Sequence, residues 1–185
     1  MRSFLAVEIP SDIRNRLREI QNELRTSGAD VKWVRPESIH LTLKFLGEIQ
    51  SDKVEDILRK VEDAVRGQRR FSLQVRGMGC FPRLSHPRVV WVGLVGDDGR
   101  LTALQQAVED GMACLGFARE GRPFRPHLTL GRVRSAKGKI RLVSRIEKHS
   151  DIDLGALPVE SIVQFKSELH PKGAIYTSLG AVELG

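Results

Sequence analysis

Cysteine is scarce in this sequence of 185 residues, which contains only Cys80 and Cys114. The two lie far apart and form no CxxC pair, so the sequence predicts neither a disulfide-stabilised scaffold nor a cysteine-based zinc site. Scarce and unpaired cysteine is typical of proteins from a reducing compartment. We therefore expect the protein to be cytoplasmic.

Long hydrophobic runs are also missing. The apolar stretch near the N-terminus, residues 4–7, ends at Glu8 and is too short for a signal peptide's hydrophobic region or for a membrane span. No segment is low in complexity, and no linker is long enough to separate independent domains. The sequence therefore predicts a single two-lobed domain over residues 1–185 that does not act at a membrane.

Basic residues outnumber acidic ones. The sequence has 30 lysines and arginines and 23 aspartates and glutamates, which gives a formal net charge of +7. Such an excess favours a polyanionic partner, either nucleic acid or an anionic membrane surface. Charge alone does not decide the function, because many basic proteins bind neither partner.

One four-residue motif occurs twice. His40-Leu41-Thr42-Leu43 returns as His127-Leu128-Thr129-Leu130, 87 positions later. Both copies lie in strand-like segments, residues 39–45 and 126–133. Because side chains alternate faces along a strand, the histidine and threonine of each copy share one face and its leucines share the other. The pattern predicts two strands that line one cleft with a pair of histidines.

The order strand–helix–strand–strand–helix occurs loosely in each half of the chain. It predicts an α+β fold with two similar sheet lobes, as an ancient duplication would leave. Between the motifs, residues 77–87 are expected to form a loop. The apolar run over residues 88–95 predicts a central strand covered on both faces, with Trp91 in the core. Turns are expected at residues 97–99 and 171–173.

The paired histidines allow three interpretations. Histidines on strands are commonly structural, and a duplication can reuse a favourable strand sequence. Two histidines can also bind zinc, but a catalytic zinc site needs three protein ligands and threonine is a poor one, so no metal is predicted. The third interpretation is in-line displacement at a phosphodiester, in which one imidazole deprotonates the nucleophile and the other protonates the leaving oxygen. Thr42 and Thr129 would then donate hydrogen bonds to phosphate oxygens, and Arg132 would neutralise the developing charge.

The segments around the motifs match a known family. They are the motifs with their flanks, His40–Glu48 and Pro126–Arg132, together with Phe4–Pro10, Trp33–Val34, Phe81–Pro82, Pro87–Trp91, Ser167–Leu169 and Gly173–Tyr176. On these residues the sequence resembles the RNA 2′,3′-cyclic phosphodiesterases, also named 2′-5′ RNA ligases, of the two-histidine phosphoesterase superfamily. The resemblance extends over nearly the whole chain and departs from the family pattern at no motif position.

The resemblance implies a bilobal α+β fold with pseudo-twofold symmetry, in which both motifs face a central cleft. It also implies hydrolysis of a 2′,3′-cyclic phosphate at an RNA end to a 2′-phosphomonoester, without a metal or other cofactor. By the same resemblance His127 is the general base that activates water, and His40 is the general acid that protonates the departing 3′ oxygen. The remaining site residues hold the substrate. Thr42 and Thr129 bind the phosphate, and Arg132 and Phe45 contact the phosphate or the base.

The family's other reaction joins tRNA halves through a 2′-5′ linkage. A 5′-hydroxyl then replaces water as the nucleophile, and the same acid–base pair supports this step by microscopic reversibility. We therefore expect the partner to be RNA with a 2′,3′-cyclic phosphate end, tRNA halves included, and the protein to be a monomer.

Two other functions stay open at this point. One is an RNA-binding module that has lost catalysis, although the intact histidines and threonines argue against it. The other is a phosphodiesterase for small cyclic nucleotide phosphates. The net charge and a basic rim around the second motif favour RNA over such a small substrate. The rim comprises Arg122, Arg125, Arg134, Lys137 and Lys139, and for any single member a solvated basic face is the plainer interpretation.

Overall fold

The computed structural model describes residues 1–96, 98–171 and 173–185. In chain order its elements are β1 (Arg2–Val7), α1 (Ser11–Arg25), β2 (Val31–Trp33), β3 (Leu41–Glu48), α2 (Val54–Ala64), β4 (Phe71–Arg83), β5 (His86–Val95), α3 (Arg100–Cys114), β6 (His127–Val133), α4 (Lys139–Lys148), β7 (Asp153–Val159), β8 (Ser161–Glu168) and β9 (Ile175–Glu183). The turns expected at residues 97–99 and 171–173 include Asp97 and Lys172, which lie outside the described residues.

The described strands form two antiparallel sheets. The first sheet has the order β3-β1-β8-β9, and the second has the order β2-β6-β5-β4-β7. The helices lie against these sheets, so the predicted α+β fold with two sheet-plus-helix lobes is confirmed. Each motif strand belongs to a different sheet: β3 lies at an edge of the first, and β6 lies inside the second.

The helices bury apolar stripes against the inner faces of the sheets. In α1, Ile13, Leu17 and Leu24 recur at helical spacing and are fully buried. Helices α1 and α4 pack against β7 and β4 of the second sheet, whereas α2 and α3 pack against each other and against β9 and β3 of the first. The motif leucines face this core as predicted, and all four are buried: Leu41, Leu43, Leu128 and Leu130.

The first motif strand begins later than expected. Strand β3 starts at Leu41 and runs to Glu48, so His40 lies immediately before the strand and not inside it. A short 3₁₀ turn at Pro36–Ser38 leads the chain from β2 to this point. The second motif strand matches its prediction closely, since β6 covers His127–Val133.

The loop expected at residues 77–87 is wrong, because β4 and β5 form a β-hairpin there. The glycines that suggested a loop are instead required by the geometry of the hairpin. Gly77 lies in a register shift of β4 with a φ of +80°, a conformation that favours glycine. Gly79 lies under the ring of Trp91, where a Cβ atom would come within 2.5 Å of the indole.

Strand β5 is fully covered on only one of its faces. Val90 and Val92 are completely buried, whereas Trp91 is half-buried on the opposite face and lies outside the main core. The apolar run predicted a strand covered on both faces, and this difference identifies the outer face of the second sheet as a surface with its own aromatic lining.

Candidate active site

Both motif strands contain a β-bulge at the same motif position. Thr42 pairs with Ala6 and Lys44 with Leu5, which leaves Leu43 as the extra residue. In the second copy the extra residue is Leu130, between Thr129 and Gly131. One extra residue reverses the alternation of side chains that follow it. The two copies are therefore equivalent in local geometry as well as in sequence.

The bulges bring Phe45 and Arg132 into the site. Strict alternation would turn the fifth residue after each motif histidine toward the core. After the bulge, Phe45 pairs with Phe4 and shares the face of Thr42, while Arg132 pairs with Val89 and shares the face of Thr129. Phe45 is 70% exposed although it is a large apolar side chain, so its ring is available to a ligand.

The first bulge also turns Lys44 into the core. Its Nζ atom donates hydrogen bonds to Glu109 Oε1 and to the Ala118 carbonyl, each at 2.6 Å. The backbone N–H of Glu120 donates to the same carboxylate at 2.8 Å. This buried ion pair thus ties the first motif strand to α3 and to the segment that leads into the second motif.

The two histidines are oriented in the same way. His40 Nδ1 lies 3.2 Å from the Ser38 carbonyl, and His127 Nδ1 lies 2.6 Å from the Arg125 carbonyl, in each case two residues upstream. A carbonyl oxygen only accepts, so Nδ1 must be the donor and carry the proton. In the neutral imidazole Nε2 is then the free nitrogen, able to accept a proton from a ligand.

Aromatic rings surround His40 on the first sheet. Its ring centroid lies 4.5 Å from that of Phe165, 5.5 Å from Tyr176 and 6.1 Å from Phe4. Burial among these rings lowers the pKa of His40 to about 4, although the hydrogen bond to the Ser38 carbonyl acts in the opposite direction. His40 is therefore neutral at pH 7 when the site holds no ligand.

His127 has a more open environment on the second sheet. The ring of Phe81 meets its imidazole edge-on at 5.0 Å, and Trp91 lies 5.3 Å from Phe81. The imidazole of His127 contacts the ring of Phe81, whereas that of His40 is surrounded by three rings. The two histidines therefore differ in exposure although their Nδ1 hydrogen bonds are the same. The aromatic residues beside both histidines were not assigned to the site from the sequence, because Phe81 falls in the expected loop and Phe165 and Tyr176 belong to distant strands.

One electrostatic interaction connects the two motif faces. Burial raises the pKa of Tyr176 on the first sheet, and the guanidinium of Arg132 on the second sheet acts against this rise. Arg132 is itself exposed and has an open path to a ligand. The six predicted site residues thus lie on one face of each sheet: His40, Thr42 and Phe45 on the first, and His127, Thr129 and Arg132 on the second.

The basic rim lies at both ends of β6. Arg122 and Arg125 precede the strand and Arg134 and Lys137 follow it, and all four are exposed. Arg122 lies 3.6 Å from a carboxylate oxygen of Glu120. Lys139 differs from the others, since it begins α4 and is partly buried.

Among residues 1–96, 98–171 and 173–185, no three or more histidine, cysteine, aspartate or glutamate side chains are grouped so that they could hold a metal ion. Over the same ranges, no helix has both the length and the apolar character needed to cross a membrane.

A model of the LigT-like phosphoesterase family matches the chain twice, over residues 7–91 and 93–176. Each match contains one copy of the histidine motif, in agreement with the internal repeat. Proteins named RNA 2′,3′-cyclic phosphodiesterase are similar to the chain over nearly its full length. The one from Methanothermobacter thermautotrophicus is 35% identical over 100% of this chain and 99% of its own, and the one from Archaeoglobus fulgidus is 36% identical over 99% and 100%.

Solved structures are also similar over nearly the full length of the chain. A protein of Thermus thermophilus superposes with a TM-score of 0.80 at 31% identity, over 100% of this chain and 98% of its own. The LigT protein of E. coli, complexed with 3′-AMP, superposes with a TM-score of 0.78 at 26% identity, over 99% and 97% of the two chains.

Proposed function

Because the chain belongs to the LigT-like phosphoesterase family, we propose that it is an RNA 2′,3′-cyclic phosphodiesterase. It opens the cyclic phosphate at an RNA end and leaves a 2′-phosphomonoester. One observation carries the proposal: each imidazole is held through Nδ1, which leaves Nε2 of both histidines available to a ligand, on the face of each sheet that carries the motif threonine.

We assign the base to His127 and the acid to His40. Nε2 of His127 takes a proton from water as the water oxygen bonds to phosphorus, and the bond from phosphorus to the 3′ oxygen breaks. Protonated His40 gives its Nε2 proton to that oxygen. The proton taken at one histidine and the proton given at the other balance, so the combined charge of the two imidazoles is unchanged, and exchange of protons with solvent restores the starting protonation state of each.

The other predicted residues bind the substrate. Thr42 and Thr129 donate hydrogen bonds to the non-bridging phosphate oxygens, and Arg132 offsets the charge that develops there. Phe45 offers its exposed ring as a stacking surface for a base. No step in this scheme requires a metal ion or another cofactor.

We also propose that the site supports 2′-5′ ligation, with tRNA halves as substrates of a monomeric, cytoplasmic enzyme. His127 lies more open than His40, and the exposed Arg122 and Arg125 shortly precede it in the chain. A 5′-hydroxyl on a second RNA strand can therefore approach the base in the place of water, with its phosphates near these arginines.

The test of hydrolysis uses a short RNA that ends in a 2′,3′-cyclic phosphate, with EDTA present and the terminal phosphate identified after reaction. We expect a 2′-phosphate product from the wild-type protein and a loss of at least about a hundredfold in kcat for His40→Ala and for His127→Ala. His149→Ala is the matched control, because this histidine is bound to Glu23 on another part of the surface. The control should retain full activity.

Two results would contradict the proposal. An unchanged cyclic end together with tight RNA binding would favour a binding module without catalysis. A substrate preference for small cyclic nucleotides over RNA would favour the small-molecule alternative.

A further inference from the structure

Two basic side chains lie directly opposite each other at the edge of the second sheet. In the pairing of β2 with β6, Lys32 is the partner of Arg132. Directly paired residues of antiparallel strands point to the same face, so Lys32 shares the face of Arg132 and Thr129. Both basic residues are exposed. From the sequence, only Arg132 was assigned a role.

This pair does not help the fold. Like charges directly opposite on neighbouring strands repel each other. In the part of the chain that the structure describes, no carboxylate oxygen lies within 4.0 Å of the Lys32 ammonium or the Arg132 guanidinium. Asp30, two residues before Lys32, forms its backbone hydrogen bonds with Lys137 and Arg134 and no ion pair with Lys32. An anion from outside the chain would relieve the repulsion.

The position of the pair indicates which anion this is. Arg132 lies two paired positions along β6 from Thr129, about 7 Å at the rise of a strand, and Lys32 lies one strand spacing further out, about 4.8 Å. The flexible four-carbon stem of lysine lets its ammonium reach toward a phosphate bound beyond Arg132. If a nucleotide binds with its terminal phosphate at the threonines and its 5′ side toward this edge, its internucleotide phosphate comes within reach of Lys32.

We propose that Lys32, which lies beyond Arg132 and the terminal phosphate, binds the internucleotide phosphate on the 5′ side of the terminal nucleotide. The inference rests on the proposed function and extends it, since it explains how the site distinguishes an RNA end from a mononucleotide. A cyclic mononucleotide lacks this phosphate and leaves Lys32 without a partner. Lys32 is therefore a specificity-determining residue, and the polynucleotide chain is part of what the enzyme recognises.

Three substrates test this subsite. They are adenosine 2′,3′-cyclic phosphate, the adenosine dinucleotide that ends in the same cyclic phosphate, and that dinucleotide with a neutral methylphosphonate linkage. For the wild-type protein we expect the charged dinucleotide to have the highest kcat/KM, and the neutral linkage to remove most of its advantage. Lys32→Gln should lower the ratio of kcat/KM between charged dinucleotide and mononucleotide about tenfold, and Lys32→Arg should restore most of it.

Lys148→Gln is the matched control, because Lys148 is an exposed lysine at the end of α4. It should leave the ratio at its wild-type value. The thermal midpoint of Lys32→Gln should not fall, since the substitution removes a repulsion and no stabilising contact.

Failure of the inference differs from failure of the proposed function. If the wild-type protein hydrolyses the cyclic phosphates but Lys32→Gln keeps the same ratio, or affects charged and neutral dinucleotides equally, the subsite is wrong. If the wild-type protein hydrolyses none of the three, the proposed function is wrong. The subsite is then tested by binding, where fluorescence anisotropy should still show that the charged dinucleotide loses affinity on Lys32→Gln and the neutral one does not.

Discussion

At the scale of single residues, the environment of His40 sets a condition on catalysis. A histidine with a pKa of about 4 is neutral at pH 7, yet the proposed acid must donate a proton. A phosphate anion beside the imidazole favours its charged form and raises the pKa. Burial under Phe165 and Tyr176 therefore couples the protonation of His40 to occupation of the site, so that the acid forms where it is used.

Titration of His40 by NMR tests this coupling. We expect a midpoint near pH 4 in the free protein and a clearly higher midpoint when adenosine 2′-monophosphate, the product of an adenosine substrate, saturates the site. His127→Ala keeps the rings around His40 and should leave the midpoint of the free protein low. A midpoint near 6.5 in the free protein would show that the ring cluster does not bury the imidazole.

The same shift has a consequence for stability. An unfolded histidine has a pKa of about 6.5, so between pH 6.5 and about 4 the unfolded chain binds more protons at this residue than the folded chain does. The contribution of His40 to the free energy of unfolding is therefore complete above about pH 6.5 and is lost as the pH falls toward 4. Chemical denaturation of the wild type and of His40→Gln at several pH values should show this slope in their difference.

At the scale of secondary-structure elements, the buried Lys44–Glu109 pair connects β3 to α3. Removal of one partner leaves the other charge buried without compensation, which typically costs about 3–5 kcal/mol. We expect Lys44→Met to lower the free energy of unfolding by about that amount in urea denaturation. The double variant Lys44→Met with Glu109→Leu should recover most of the loss, because it removes both charges.

The exposed pair Arg66–Asp63 provides the control for this prediction. Arg66→Met should lower the free energy of unfolding by less than about 1 kcal/mol, because exposed ion pairs contribute little. If Lys44→Met has an equally small effect, the Lys44 ammonium is not buried as described.

The elements also show how far the sequence could predict this protein. Alternation along a strand correctly placed the motif threonines and leucines and His127, because it depends on local geometry alone, whereas His40 lies just before its strand. The bulges at Leu43 and Leu130 could not be predicted this way, since a bulge is defined by the residues of the partner strand. For the same reason alternation did not place Phe45 or Arg132 in the site: Phe45 entered only through the family resemblance, Arg132 through the chemistry of phosphate, and the inward turn of Lys44 was missed altogether.

The hairpin of β4 and β5 was missed for a related reason. Gly77, Gly79 and Pro82 are typical of a loop when they are considered locally. In the structure their positions depend on contact with Trp91 and on pairing with β5. Both are tertiary interactions, which a local pattern does not contain.

At the scale of the whole molecule, the two halves of the chain are interlocked. The first sheet combines β1 and β3 from the beginning of the chain with β8 and β9 from its end. Strand β2 lies between β1 and β3 in the chain, yet it belongs to the second sheet. Neither match of the family model therefore contains all the strands of one sheet, and we propose that residues 1–185 fold as one domain.

Equilibrium unfolding should accordingly be a single transition. The fluorescence of Trp33 and Trp91 reports on the second sheet, and the NMR signal of His40 reports on the first. We expect both probes to give the same midpoint in urea. Two separate midpoints would mean that the sheets unfold independently.

The twin bulges have a practical meaning for protein engineering. They separate each histidine–threonine pair from the side chain that follows the bulge, since a change after the bulge does not alter the direction of the side chains before it. The first copy has an aromatic ring at position 45 and the second a cation at position 132, while the two histidine–threonine pairs are identical. A library varied at position 45 should therefore change which nucleotides are accepted and leave the machinery of bond cleavage intact.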